Sequence, residues 1–210
     1  MASRYFVAIA AIVAFVLVAP GMSSAGIPSA GNSTLPTSFV GSPDGLIVSA
    51  VIVRDIANNP IRMSYVTLDF SNCAGFNPCP MACTSCTTVP ANKTISLFTD
   101  AAGSARFDLR MAASGCPNQF NMLRAYADGV LLGNPVFASL DQDGDLSVTP
   151  ADVAMVQALV GSNDLRADFD GDYAVTPSDV AIAQAHLGAT CTIPSAAQKS
   201  SWGSLKSIYR

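Results

Sequence analysis

The side chains best suited to chemistry in this 210-residue chain are aspartates, and they are unevenly spread. All fifteen acidic residues are Asp, with no Glu, and nine of them fall between Asp141 and Asp179. A general solvated surface would mix the two acids, whereas a concentration of short carboxylates suits a hard cation that takes oxygen ligands. The pattern is also repeated. Asp141 to Gly161 reads DQDGDLSVTPADVAMVQALVG, and Asp168 to Gly188 reads DFDGDYAVTPSDVAIAQAHLG. At an offset of 27 residues, thirteen of the twenty-one positions are identical, which marks a duplicated structural unit.

Each copy places carboxylates at the first, third, fifth and twelfth positions of a loop. These are Asp141, Asp143, Asp145 and Asp152 in the first copy, and Asp168, Asp170, Asp172 and Asp179 in the second. In a calcium loop, side-chain oxygens ligate from one, three and five, a backbone carbonyl from seven, and a carboxylate from twelve. The carbonyls would be those of Ser147 and Ala174, while Thr149 and Thr176, at nine, could hold a bound water. Converging carboxylates repel, which raises their pKa values or keeps the loop open until a divalent cation neutralises them. Flexible all-oxygen ligation favours Ca2+ over Mg2+. The expectation is therefore two calcium ions per chain, with folding of this region coupled to the metal. An Asp-Gly-Asp turn needs no ion by itself; the case rests on both copies carrying all four acids.

The loops must also start helices. Thr149-Pro150-Ala151-Asp152 and Thr176-Pro177-Ser178-Asp179 each put Thr at the N-cap, Pro at the first helical position and Asp at the third, as in a capping box. Val153, Val156 and Val160 give one helix an apolar stripe, and Val180, Ala183 and Leu187 give the other. Gly161 and Gly188 are suitable stops.

The segment ahead of the first loop, Pro135 to Leu140, is too short and too β-like to be an entering helix, and the twelfth residue is Asp rather than Glu. A loop followed only by an exiting helix, duplicated over residues 141–188, is similar to a type I dockerin. That resemblance implies two calcium ions, a small all-α loop-helix pair, and a cohesin-like protein partner on a scaffold or cell surface. Two positions depart from the family. Leu146 and Tyr173 stand at the sixth place, where Gly is common, and the tenth and eleventh places, which carry partner specificity, are Pro150-Ala151 and Pro177-Ser178.

From about 43 to 138 the apolar period is two. Leu46 to Arg54, Tyr65 to Phe70, Thr94 to Thr99, Ala105 to Leu109 and Leu123 to Ala127 read as strands, with turns at Asn58-Asn59-Pro60 and Asp100 to Gly103. Asp128-Gly129 signals a hairpin. About seven such strands predict a β-sandwich. The stretches VIVRDIANNPIRMSYVTLDF, LFTDAAGSARFDL and LRAYADG resemble bacterial immunoglobulin-like repeats, from which the Cys-rich insertion Cys73 to Cys86 departs. The expected fold is thus mainly β: an N-terminal immunoglobulin-like β-sandwich followed by a dockerin-like helix pair.

The expected organisation is a secretory signal over 1–25, a flexible Gly/Ser/Pro/Thr-rich linker over 26–42, the β-domain over 43–138, the repeat over 139–189 and a tail over 190–210. The apolar run Tyr5 to Ala19 is too short to span a membrane, so a secreted or cell-surface chain without a stable span is expected. Six cysteines in an exported chain favour disulfides over a zinc or redox site, and fifteen pairings are possible. Cys191 could tie the C-terminus to the Cys-rich region, with Cys116 as one partner.

A formal charge of −4 argues against nucleic-acid binding. No spacing suggests a Ser-His-Asp arrangement, and the acids outside the loops are scattered single Asp residues, a poor match to a glycosidase pair. His186, the only histidine, aligns with Leu159 and suits a helix-surface or packing role. The reading is a non-catalytic protein attached through calcium to a protein partner or surface assembly. The alternatives are calcium as a purely structural clamp, and an accessory to carbohydrate-active enzymes or an enzyme with a site on the β-domain. Trp202, Leu205, Ile208 and Tyr209 in the tail, with Lys199, Lys206 and Arg210, would serve sorting or docking, or else belong to a frayed terminus.

Overall fold

The computed structural model describes residues 26–112, 116 and 123–191. The expected signal, and the tail from 192 onward, lie outside the described residues. Among the described residues, nine strands and two α-helices make the protein mainly β. They are β1 (Ser38–Gly41), β2 (Ser49–Ile52), β3 (Tyr65–Asp69), β4 (Thr87–Val89), β5 (Thr94–Phe98), β6 (Ser104–Phe107), β7 (Arg124–Ala127), β8 (Val130–Gly133) and β9 (Val136–Ser139), followed by α1 (Pro150–Leu159) and α2 (Pro177–Ala185). Among the described residues no helix is long and apolar enough to cross a membrane.

The period-two segments form the largest sheet, antiparallel in the order β4-β5-β3-β7-β8. Alternation along β3 buries Val66 and Leu68 and leaves Tyr65, Thr67 and Asp69 on the other face. Asp128 and Gly129 turn β7 into β8 with φ of 48° and 82°, the left-handed pair that a tight hairpin requires. A second pair, β2 with β6, is antiparallel and sets Val51 opposite Ala105. Gly103, before β6, has φ 74°, and an added Cβ would stand 2.5 Å from the Val53 carbonyl oxygen, so only glycine fits. Side chains from both sheets, including Val51, Phe107, Leu68, Ile95 and Ala125, share one core. Edge-on aromatic contacts knit it, with Phe70 and Phe137 centroids 5.1 Å apart and Phe39 and Phe107 6.0 Å apart.

The stretch 26–42 is not a linker. Pro28 and Thr34 bridge to Asp55 and Ile52, and the chain then enters β1. This strand pairs in parallel with β9, Phe39 opposite Phe137 and Val40 opposite Ala138. Both faces of the pair are covered. Phe39 and Phe137 point into the β core, while Val40 and Ala138 belong to a second core with Val148, Val156, Phe169, Val175 and Ala183. The polar composition of 26–42 hides this because few of its side chains are apolar; burial comes from tertiary partners. The same pair of strands joins the β unit to the repeat, so the expected boundary near 138/139 runs through shared packing.

All six cysteines are paired: Cys73–Cys116, Cys79–Cys191 and Cys83–Cys86. Cys191 does tie the end of the repeat to the Cys-rich loop, but through Cys79 and not Cys116. Cys116 is committed elsewhere, buried with Cys73 in the β core.

Candidate metal centre

Each loop is organised by its own backbone before any neighbour is considered. In the first, the buried Asp141 side chain folds over the turn. Its Oδ1 accepts from the amides of Gly144 at 2.7 Å and Asp145 at 3.2 Å, and its Oδ2 from Leu146 at 2.9 Å. Asp143 accepts from the Asp145 amide at 3.1 Å, and Asp145 from Ser147 at 2.9 Å. In the second loop Asp168 accepts from Gly171, Asp172 and Tyr173 at 2.8, 3.2 and 2.9 Å. Asp170 and Asp172 accept from Asp172 and Ala174 at 3.2 and 2.9 Å.

Carboxylate oxygens of Asp141, Asp143 and Asp145 come within 4.8 Å of one another, and so do those of Asp168, Asp170 and Asp172. Either group could hold a metal ion. One acid of each triplet is buried and two are exposed, so an ion would have an open side. Burial pushes the Asp141 carboxyl up to about 6; the nearby Asp152 charge adds to this, and the three amide bonds oppose it. Asp168 is raised in the same way, with Asp179 as the like charge. An all-oxygen set with one raised carboxyl in each loop, Asp141 or Asp168, fits a hard divalent cation, which would stabilise its ionised form.

Asp152 and Asp179 stand outside the triplets. Asp152 Oδ1 accepts from the amides of Gln142 at 2.7 Å and Asp143 at 3.2 Å, tying the loop's start to the helix. Its Oδ2 accepts from the Thr149 amide at 2.8 Å and hydroxyl at 2.9 Å. Asp179 repeats this with Phe169, Asp170 and Thr176. Both sequences therefore form the capping box read from them. The Thr149 and Thr176 hydroxyls are occupied in these caps, accepting from Ala151 and Ser178 as well. The sixth-place residues Leu146 and Tyr173 take φ of 78° and 68°, the left-handed region where a side chain costs on the order of 1 kcal/mol.

No protein-family model and no curated protein matches the chain.

The two units brace each other. Val148, at place eight of the first loop, donates to the Ala189 carbonyl at 2.8 Å and accepts from Gly188 at 2.8 Å. Val175, its equivalent, accepts from Gly161 at 2.8 Å and donates to Ser162 at 3.3 Å. Each loop thus pairs with the residues that end the other helix. These bonds leave the Ser147 and Ala174 carbonyls out, so both stay free of this pairing. Val153, Val156, Val180 and Ala183 are buried as the stripes predict, but Val160 and Leu187 are 40% and 46% exposed, so each stripe ends a turn early.

The sequence assigns no role to Gln142 and only a helix-surface or packing role to His186. Gln142, at place two, is buried; its amide donates to the Ser139 carbonyl at 2.5 Å and the Arg166 carbonyl at 3.1 Å, linking the first loop to the turn before the second. His186 caps α2 and sets Nδ1 2.9 Å from Asp44 of the β unit. Burial works against the Asp44 charge, but the Ser42 hydroxyl, the Leu46 amide and His186 together hold its carboxyl below the ordinary range. Asp-x-Asp-Gly at the loop start signalled the Gly144 and Gly171 turns. Nothing local signalled Gln142 or the Asp44 contact, which spans 142 residues.

Proposed function

We propose that this chain is an exported, non-catalytic protein that binds two calcium ions. Its repeat, similar to a type I dockerin, mediates calcium-dependent attachment to a protein partner or surface assembly. The observation that carries the reading is the pair of Asp triplets, each with oxygens within 4.8 Å and each held by the same set of amide bonds. Ser147 and Ala174 would supply the carbonyl ligands, and Asp152 and Asp179 would complete the sets from the helix caps. The raised Asp141 and Asp168 carboxyls support a doubly charged ion, and an open, mixed set of carboxylate and carbonyl oxygens supports calcium. The β unit is read as a sandwich of immunoglobulin-like type; two antiparallel sheets sharing one core support this. Three disulfides suit an oxidising compartment.

Native mass spectrometry and calorimetry of residues 26–210 with calcium test the ion assignment. Two ions per chain are expected, and none after Asp143→Ala and Asp145→Ala are combined with Asp170→Ala and Asp172→Ala. Uptake unchanged by the four substitutions would refute it.

A second reading is calcium as a structural clamp. The shared core at Val40 and Ala138 and the Cys79–Cys191 link favour it, because they bind the repeat to its own β unit. Pull-down from the source organism's envelope, with and without chelator, separates the two. A calcium-dependent partner supports attachment; no partner, with a calcium-dependent melting temperature, supports the clamp.

A further inference from the structure

We propose that the Cys79–Cys191 disulfide is a positioning element for the first metal loop, holding it in its ion-ready shape before an ion arrives, and that the second loop has no such element. The inference rests on the calcium reading of the loops.

The first loop leans on a short brace, residues 188–191. Gly188 and Ala189 exchange hydrogen bonds with Val148, Ser147 bridges to Thr190, and the Cys191 amide donates to the Leu146 carbonyl at 2.9 Å. The brace therefore spans places six to eight, the segment carrying the strained Leu146 and the candidate carbonyl ligand Ser147. A bridge this short opens readily if only its own hydrogen bonds hold it. Here Cys191 is bonded to Cys79, and Cys79 is itself fixed: its amide donates to the Arg110 carbonyl at 3.0 Å. Beside it Pro78 bridges to Met111, a fully buried core residue. The brace is thus fastened to the wall of the β core. His186, at the end of α2, adds a second fastening through Asp44.

The second loop leans on residues 161 and 162, through the two bonds to Val175. These lie between α1 and the 3-10 turn Leu165–Ala167, and no disulfide reaches them. Affinity for an ion falls in proportion to the fraction of loops already in the binding shape. Loss of the disulfide should therefore act on one loop alone.

The test measures calcium affinity in the oxidised 26–210 chain, one loop at a time. Asp170→Ala with Asp172→Ala leaves the first loop, and Asp143→Ala with Asp145→Ala leaves the second. Adding Cys79→Ser and Cys191→Ser should weaken the first loop about tenfold or more, the usual scale for losing an outer support of a metal site. The second loop should stay within about twofold, as for independent sites. Removing the other local disulfide by Cys83→Ser and Cys86→Ser should alter neither. Equal losses at both loops, or none at the first, overturn the proposal. A parent chain that takes up no calcium sinks the calcium reading itself, and this inference with it, which is a separate result. Hydrogen exchange of the unaltered chain in chelator tests the same claim without a variant. Val148 and Cys191 amides should be protected while Val175 exchanges fast until calcium is added. Equal exchange at Val148 and Val175 would overturn it.

Discussion

The two Asp loops are nearly the same object placed in different surroundings. The three amide distances at Asp141 match those at Asp168 within 0.1 Å, and the caps made by Asp152 and Asp179 use equivalent donors. Around them the likeness ends. Place two is Gln142 in one loop, spent on two carbonyls, and Phe169 in the other, spent on the apolar core. At place four, an added Cβ on Gly144 would meet only the Ala112 carbonyl oxygen, at 4.0 Å, whereas on Gly171 it would come 3.3 Å from Thr37 and 3.4 Å from the Ser38 hydroxyl at the start of β1. Loop shape follows from local residue order, whereas support for the loop depends on where the rest of the chain passes.

Withdrawing metal gives the largest expected effect and treats both loops alike. An ion at a hundred times its dissociation constant adds about 2.7 kcal/mol per site. For a chain of this size, two sites correspond to a melting temperature about 10 °C or more lower in EDTA. Calorimetry checks it, and an unchanged transition would end the metal reading.

Next come Asp141→Ala and Asp168→Ala. Each strands three loop amides and should cost about 2–4 kcal/mol in the metal-free chain, read by urea unfolding. Each should also lower calcium uptake from two ions to one. Matching costs would mean that internal geometry dominates; a larger cost at Asp168 would show that packing against β1 amplifies the loss.

The pH response is smaller and has a definite sign. Asp141 is raised to about 6 in the folded protein, so the unfolded chain gives up its proton at lower pH. Its contribution to metal-free stability is complete below the unfolded value near 4 and is lost as pH rises through about 6. Asp168 acts in the same direction. Urea midpoints in chelator should fall between pH 4 and 7, and Asp141→Asn should flatten that slope more than Asp170→Asn. A slope unaffected by Asp141→Asn would show that the loop stays open without metal.

The smallest effect concerns the sixth place. Leu146 and Tyr173 are 45% and 57% exposed, so glycine sacrifices little burial. Relief of about 1 kcal/mol of left-handed strain, less the entropy that glycine loses on folding, leaves a net gain of about 0.5 kcal/mol. Thermal melts of Leu146→Gly and Tyr173→Gly should both rise slightly, by similar amounts.

How much of this was legible follows the same division. The capping boxes, the Asp128-Gly129 hairpin and the strands β3 and β5 were readable because neighbours within a few residues determine them. β9 was legible as a short β-like segment, without its partner. β1 was hidden: Ser38 and Gly41 carry no apolar signal, and Phe39 and Val40 gain their meaning from β9, nearly a hundred residues later. β4 is an exposed three-residue edge that alternation cannot reveal. The spacing of the acids located both the triplets and the caps, but it did not show that Asp152 and Asp179 stand outside the triplets. Disulfide pairing depends on which cysteines meet in space, and Cys79 with Cys191 spans 112 residues.

The parallel contact of β1 with β9 carries a lesson for anyone wishing to move this repeat into another protein. One of its walls, Val40, is encoded about a hundred residues upstream of the rest. A graft cut at the start of the first loop would leave Val40 and Ala138 behind and bare the flank they cover. The transplantable piece is discontinuous, and a host must supply a two-stranded ledge of its own.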